Sequence, residues 1–205
     1  MNETDKYEKG TGGDGFPPRG TDLVRHDLRV DILAGGDGGE GKVLETLDFE
    51  GRMLLERGDP YTNEDGVRQV DFVVLAWEAI AWSRVLGSDV VYRSSGDDQP
   101  VSRIVAETKD ADYPAYFTFN VVFDAFAGGR LVHRGHHGRP EGGGFHRVPP
   151  VGDRELSPTI TTFERQVIKV DAGQHGGLVF RPRDCNDQES RTLGTSERPH
   201  PALAR

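Results

Sequence analysis

Ala115–Ala125 reads AYFTFNVVFDA, and its parity decides the fold. Ala115, Phe117, Phe119, Val121, Phe123 and Ala125 take every second place, with Thr118, Asn120 and Asp124 among the residues between them. Side chains two apart share one face of a strand, whereas a helix would scatter those phenylalanines around its circumference. One oily face and one more polar face mark a half-buried strand of an antiparallel sheet.

The same arithmetic extends outward. Between Val43 and Leu55, the residues Val43, Leu47, Phe49, Met53 and Leu55 alternate with Asp48, Glu50 and Arg52, and Gly51 predicts a kink. Leu28, Val30 and Ile32 alternate with Arg29 and Asp31. Shorter strands are expected at 90–93, 102–107, 131–133, 159–170 and 178–180. Ala127-Gly128-Gly129-Arg130 reads as a hairpin turn, because glycines supply positive φ; Asp59-Pro60 and Asp65-Gly66 bound another loop. Asp71–Gly87, DFVVLAWEAIAWSRVLG, admits two readings. Its first half is β-branched, while its second half carries Ala, Glu and Leu and ends at a glycine, as helices do. Strands on either side favour a strand, central and covered on both faces. The sum is an all-β domain, an antiparallel barrel or sandwich of about eight strands. It should span 22–181, between a disordered N-terminal segment at 1–21 and a disordered tail at 182–205, both polar.

Composition narrows the function. Of 205 residues, 34 are acidic and 25 basic, for a formal charge of −9, and no run of Lys or Arg supplies a basic face. A phosphate-backbone binder needs one, so neither nucleic acid nor an anionic membrane is an expected partner. The one cysteine, Cys185, has no internal disulfide partner, the N-terminus lacks an apolar run, and no stretch has the length of a membrane span. A cytoplasmic location is expected. The rarity of lysine beside arginine suits a GC-rich bacterial genome. The sequence does not give the oligomeric state.

Two motifs fail on inspection. Gly36-Asp37-Gly38-Gly39-Glu40-Gly41-Lys42 has the skeleton of a phosphate loop, but Val43 stands where Ser or Thr should hold magnesium, and a strand follows where a helix is required. A hairpin loop is the better reading. Tyr61-x-Asn63-x-Asp65-Gly66 resembles the start of a calcium loop, yet Tyr61 and Phe72 occupy the positions of its first and last acids. It reads as a turn.

Three groups remain as candidates. His133, His136, His137 and His146, with Glu141 among them, could bring two or three imidazoles and a carboxylate to a divalent metal. The ordering is loosely similar to that of cupin barrels, but the two histidines one residue apart that mark those proteins are absent. The competing reading is a solvated loop. Glu78, read on a strand, shares a face with Phe72, Val74, Ala76, Ile80 and Trp82. A carboxyl in such company suits general acid–base chemistry; an arginine partner such as Arg103, or an outward position, would remove that role. Trp77, Trp82, Tyr92 and Phe119 are the aromatic residues expected to line a pocket for a ligand, although aromatics at strand spacing more often form plain core. The Gly/Pro-rich stretch 135–153 is long enough for a binding lid.

The architecture suits small β-barrels that bind hydrophobic molecules, including barrel cyclases of bacterial secondary metabolism, although fold does not dictate function. The first expectation is a small-molecule-binding barrel, a cyclase or isomerase acting on a hydrophobic metabolite with Glu78 moving a proton. The alternatives are a non-catalytic interaction or structural domain, and a metal-dependent enzyme using the cluster from His133 to His146. No organic cofactor is implied; a divalent metal is the one such group these residues suit.

Overall fold

The structure is a computed structural model and describes residues 15–34, 41–96, 98–145, 160–163, 168–171, 177–194 and 200–203. Its strands are β1 (Gly20–Ala34), β2 (Val43–Arg57), β3 (Tyr61–Thr62), β4 (Arg68–Ser83), β5 (Ser88–Ser94), β6 (Ser102–Ala106) and β7 (Ala115–Thr118). They continue with β8 (Val121–Ala127), β9 (Arg130–Gly138), β10 (Pro140–Phe145), β11 (Ile160–Phe163), β12 (Ile168–Asp171) and β13 (Gly177–Gly194). Among the described residues these 13 strands form one sheet, ordered β11-β10-β7-β6-β4-β2-β1-β13-β12, with β3 and β5 also on β4, β8 on β5 and β9 on β8. Strand β4 serves two neighbours along one edge, β6 over residues 69–72 and β5 over 78–83. From β9 the ladders pass through β8, β5, β4, β2, β1 and β13 to β12, and the two ends of that path, β9 and β12, come close together. The fold is all-β and barrel-like.

The ambiguous stretch is strand β4, and it departs from the expected alternation at one residue. Opposite β2, Leu54 faces Ala76 while Leu55 faces Val74, so Leu75 is an extra residue in the ladder. Ahead of it, Phe72 and Val74 are buried; beyond it the inward residues are Trp77, Ala79 and Ala81. Ile80 and Trp82 are turned outward, 43% and 61% exposed. The expected common face from Phe72 to Trp82 therefore breaks in the middle, and the strand is covered on both faces only over its first half.

Ala115–Ala125 keeps its parity but is two strands. Its first half, β7, pairs with β6 and β10; its second, β8, pairs with β5 and β9. The break is held at Asn120, whose backbone N–H donates to Ser102 Oγ (2.8 Å) and whose Nδ2 donates to the Val101 carbonyl (2.9 Å). Gln99 clamps the other side, giving and taking hydrogen bonds with the backbone of Val122 at 2.9 Å each. Phe119 lies at this corner and packs against both apolar clusters of the interior.

The turns follow expectation where they are described. Gly128 and Gly129, at φ 55° and 74°, close the β8–β9 hairpin, and Asn63 Oδ1 accepts hydrogen bonds from the backbone N–H groups of Asp65 and Val67. Lys42 and Val43 lead into strand β2, antiparallel to β1, so the helix a phosphate loop requires is not there. Gly36–Glu40 lie outside the described residues.

The chain ends need correction. Residues 182–194, expected as disordered tail, belong to β13, which pairs with β1 from Ala34↔Leu178 to Thr21↔Gly194. The ladder satisfies backbone N–H and C=O groups whatever the side chains are, which is why polar composition concealed it. Further on, the His200 N–H donates to buried Glu56, and a 3-10 turn at Pro201–Leu203 packs on β4. At the other end, Phe16 is buried against Tyr113, edge to face at 5.2 Å. None of the described residues forms a helix long and apolar enough to cross a membrane.

Candidate functional site

Strands β1, β2, β4, β5, β8 and β9 bring a continuous series of rings together. Trp77 from β4 meets Phe123 from β8 edge to face at 5.0 Å, and Tyr92 from β5 lies 5.1 Å from Phe123 and stacks on Phe49 at 4.7 Å. Phe123 meets His136 at 5.0 Å, and His136 meets His133 at 5.2 Å. At the other end, the Trp77 Nε1–H donates to His26 Nε2 at 2.7 Å. Exposure rises along the series, from buried Tyr92 and Phe123 to half-buried His136 and His133.

A second bulge makes the histidine pair. Residues three apart on a strand normally face opposite ways. Here His136 stands opposite Phe123 and His133 opposite Ala125, so β9 holds one more residue than β8 between them. Gly135 absorbs it at φ 63°, with its N–H donating to Asp124 Oδ1 at 2.8 Å. Both imidazoles consequently stand across from inward residues of β8. Burial first, then the neighbouring His133 and His137, push the His136 pKa down to about 4. His137 is exposed, and His146 lies outside the described residues. Among the described residues, no three His, Cys, Asp or Glu side chains converge as a metal set.

His26 is the residue the sequence reading missed. It shares parity with Val24, Leu28 and Val30, and extending that alternation backwards from Leu28 would have placed it inside. Burial pushes its pKa down to about 4. Gly51, opposite it on β2, is the reason it fits: a Cβ there would stand 2.3 Å from the imidazole Cε1 and Nε2. Gly51→Ala should therefore cost about 1–3 kcal/mol by overpacking. Combining it with His26→Ala should cost less than the two single losses added, as urea denaturation would show; strict additivity would mean that the ring does not occupy this space.

Tyr92 is nearly fully buried, and burial pushes its phenol pKa well up. None of the described residues hydrogen-bonds its hydroxyl. Leaving such a group unpaired costs about 1–3 kcal/mol, so an unpaired one calls for an explanation.

Other candidates sit elsewhere. Glu78 follows the Leu75 bulge and stands on the outer face, its side chain 44% exposed and ion-paired with Arg93, whose Nε donates to Oε2 at 2.9 Å. Arg93 in turn lies over the Phe126 ring at 5.9 Å. The expected apolar surroundings of this carboxyl are corrected, and its role in proton transfer inside the barrel goes with them. Trp82 belongs to the outer face too. Of the proposed ligand-lining aromatics, Trp77 and Tyr92 join the ring series, while Phe119 stacks near Phe72 at 6.1 Å. On the outer surface Ile80, Val91, Phe126 and Leu131 stand in register across β4, β5, β8 and β9.

One solved structure shares this architecture. The chain is similar to DynF. That protein, from the dynemicin biosynthesis pathway of Micromonospora chersina, superposes with a TM-score of 0.52 over 90% of this chain and 85% of its own, at 11% identity. At that identity the likeness to DynF shows the fold alone. No family model and no curated protein matches the sequence.

Proposed function

We propose that this chain binds a small, largely apolar molecule on the inner side of its barrel-like sheet, against Trp77, Tyr92 and Phe123, with His133 and His136 at the more exposed end. The observation that carries the reading is the unbroken contact of rings from a buried tryptophan to two half-buried imidazoles. Aromatic walls with a few placed polar groups are how small-molecule sites are built. DynF belongs to a biosynthesis pathway, a setting in which proteins handle small molecules. A cyclisation or isomerisation at this place would draw on His133 and His136 as its proton-transfer groups, in place of Glu78. A protein-interaction role has its own support in the outer row from Ile80 to Leu131. The two readings use opposite faces of the same strands, so a substitution on one face separates them.

The test is titration with N-phenyl-1-naphthylamine, a neutral apolar probe whose fluorescence rises on leaving water. One saturable site is expected, weakened at least about tenfold (1.4 kcal/mol) by His136→Trp and unchanged by Trp82→Ala. Non-saturable uptake, or loss through Trp82 with no effect at His136, would move the binding surface to the outside.

A further inference from the structure

Tyr92 projects from β5 into the main apolar cluster, 3% exposed, between Phe49 and Phe123. No hydrogen-bond partner for its hydroxyl exists among the described residues, and a phenol held protonated by burial is a donor in search of an acceptor. The neighbouring indole N–H is already committed to His26.

The surroundings also fix the charge of what could meet it. Among the described residues, the buried carboxylates are each engaged elsewhere: Asp22 by Arg57, Asp31 by Arg181 and Thr46, Glu56 by the His200 backbone, and Asp71 by Tyr61 and Gln69. Besides Tyr92, the titratable members of the ring series are His26, His133 and His136, and burial opposes charge on the first and last. An ionic ligand would shed its hydration and, among the described residues, find no buried opposite charge beside Tyr92. A flat ligand, by contrast, gains ring contacts along Trp77, Phe123 and His136.

We propose that Tyr92 is the polar anchor of this site and that its occupant is a neutral aromatic carbonyl compound whose oxygen accepts the Tyr92 O–H. The proposal rests on the binding reading above and adds the ligand's class to it.

Three probes of one size test it on the full chain by calorimetry: 2-acetonaphthone, a neutral ketone; 2-ethylnaphthalene, its counterpart without oxygen; and 2-naphthoate, an anion at neutral pH. The ketone should bind at least about tenfold tighter than the hydrocarbon, with the anion weakest. Tyr92→Phe should bring the ketone down to the hydrocarbon, leave the hydrocarbon unchanged, and leave the melting temperature unchanged or raised. In the wild type, the bound ketone's C=O stretch should fall below its value in alkane, a readout that needs no variant. Equal binding of ketone and hydrocarbon, an unshifted stretch, or a preference for the anion would overturn the ligand class while leaving the apolar site standing. A marked drop in melting temperature for Tyr92→Phe would do the same, by showing that the hydroxyl already has a structural partner such as a buried water. If none of the three probes binds, the site itself falls, and the ligand class with it.

Discussion

Arg57→Ala is expected to remove about 3–5 kcal/mol of folding stability, as read from urea denaturation at neutral pH. The side chains of Arg57 and Asp22 are 2% and 3% exposed, and their contact is two-pronged: Nε to Oδ2 at 2.9 Å and Nη2 to Oδ1 at 3.1 Å. Arg57 also donates to the Pro18 carbonyl, which ties the chain ahead of β1 to the end of β2. Truncating the arginine takes the two-pronged guanidinium contact from the buried Asp22 carboxylate, and the cost of losing that contact is what the experiment measures. A double variant, Asp22→Leu with Arg57→Met, should be much less damaging than Arg57→Ala, because an apolar pair need not be desolvated at a penalty. A loss below about 1 kcal/mol in the single variant would show that the pair is solvated, as surface pairs are.

Neither partner of that pair could be found from its own surroundings in the sequence. Asp22 sits at the start of the predicted domain among charged residues, and 35 positions separate it from Arg57. Alternation carries only the question of which side a residue faces, and it carries it well where the ladder is regular. Leu47, Phe49, Val121, Phe123 and Ala125 are all inside as their parity requires. It fails where one residue is inserted, because every side chain beyond the insertion changes face. Leu75 did this to Glu78 and Trp82, both read as inward and both found outside. Gly135 did the converse for His133 and His136, three apart and yet on one side. The glycine was visible in the sequence as a position free to take positive φ, but the ladder partner that makes it a bulge was not. His26 was legible and overlooked. Its place in the alternation with Val24 and Leu28 was plain, and only its polarity argued against an inward position.

That buried imidazole also sets an expected response to acid. His26 titrates near 4 in the fold and near 6.5 in the unfolded chain. Between those values the unfolded state binds the extra proton, so stability contributed by the neutral ring is complete above about pH 6.5 and is lost as pH falls through 4. The displacement corresponds to about 3 kcal/mol. His136 pulls in the same direction but is half-exposed, and the carboxylates add their own acid dependence, so the informative quantity is a difference between proteins. His26→Gln keeps an acceptor for the Trp77 N–H and removes the titration. The fall in unfolding free energy from pH 7 to pH 4 should be about 3 kcal/mol smaller in that variant than in the wild type. Parallel pH profiles would mean that the ring is already protonated, or reached by water, in the folded protein. The same proton would take away the Nε2 acceptor of Trp77, so the folded protein keeps that hydrogen bond through the interval and loses it only as pH falls through about 4.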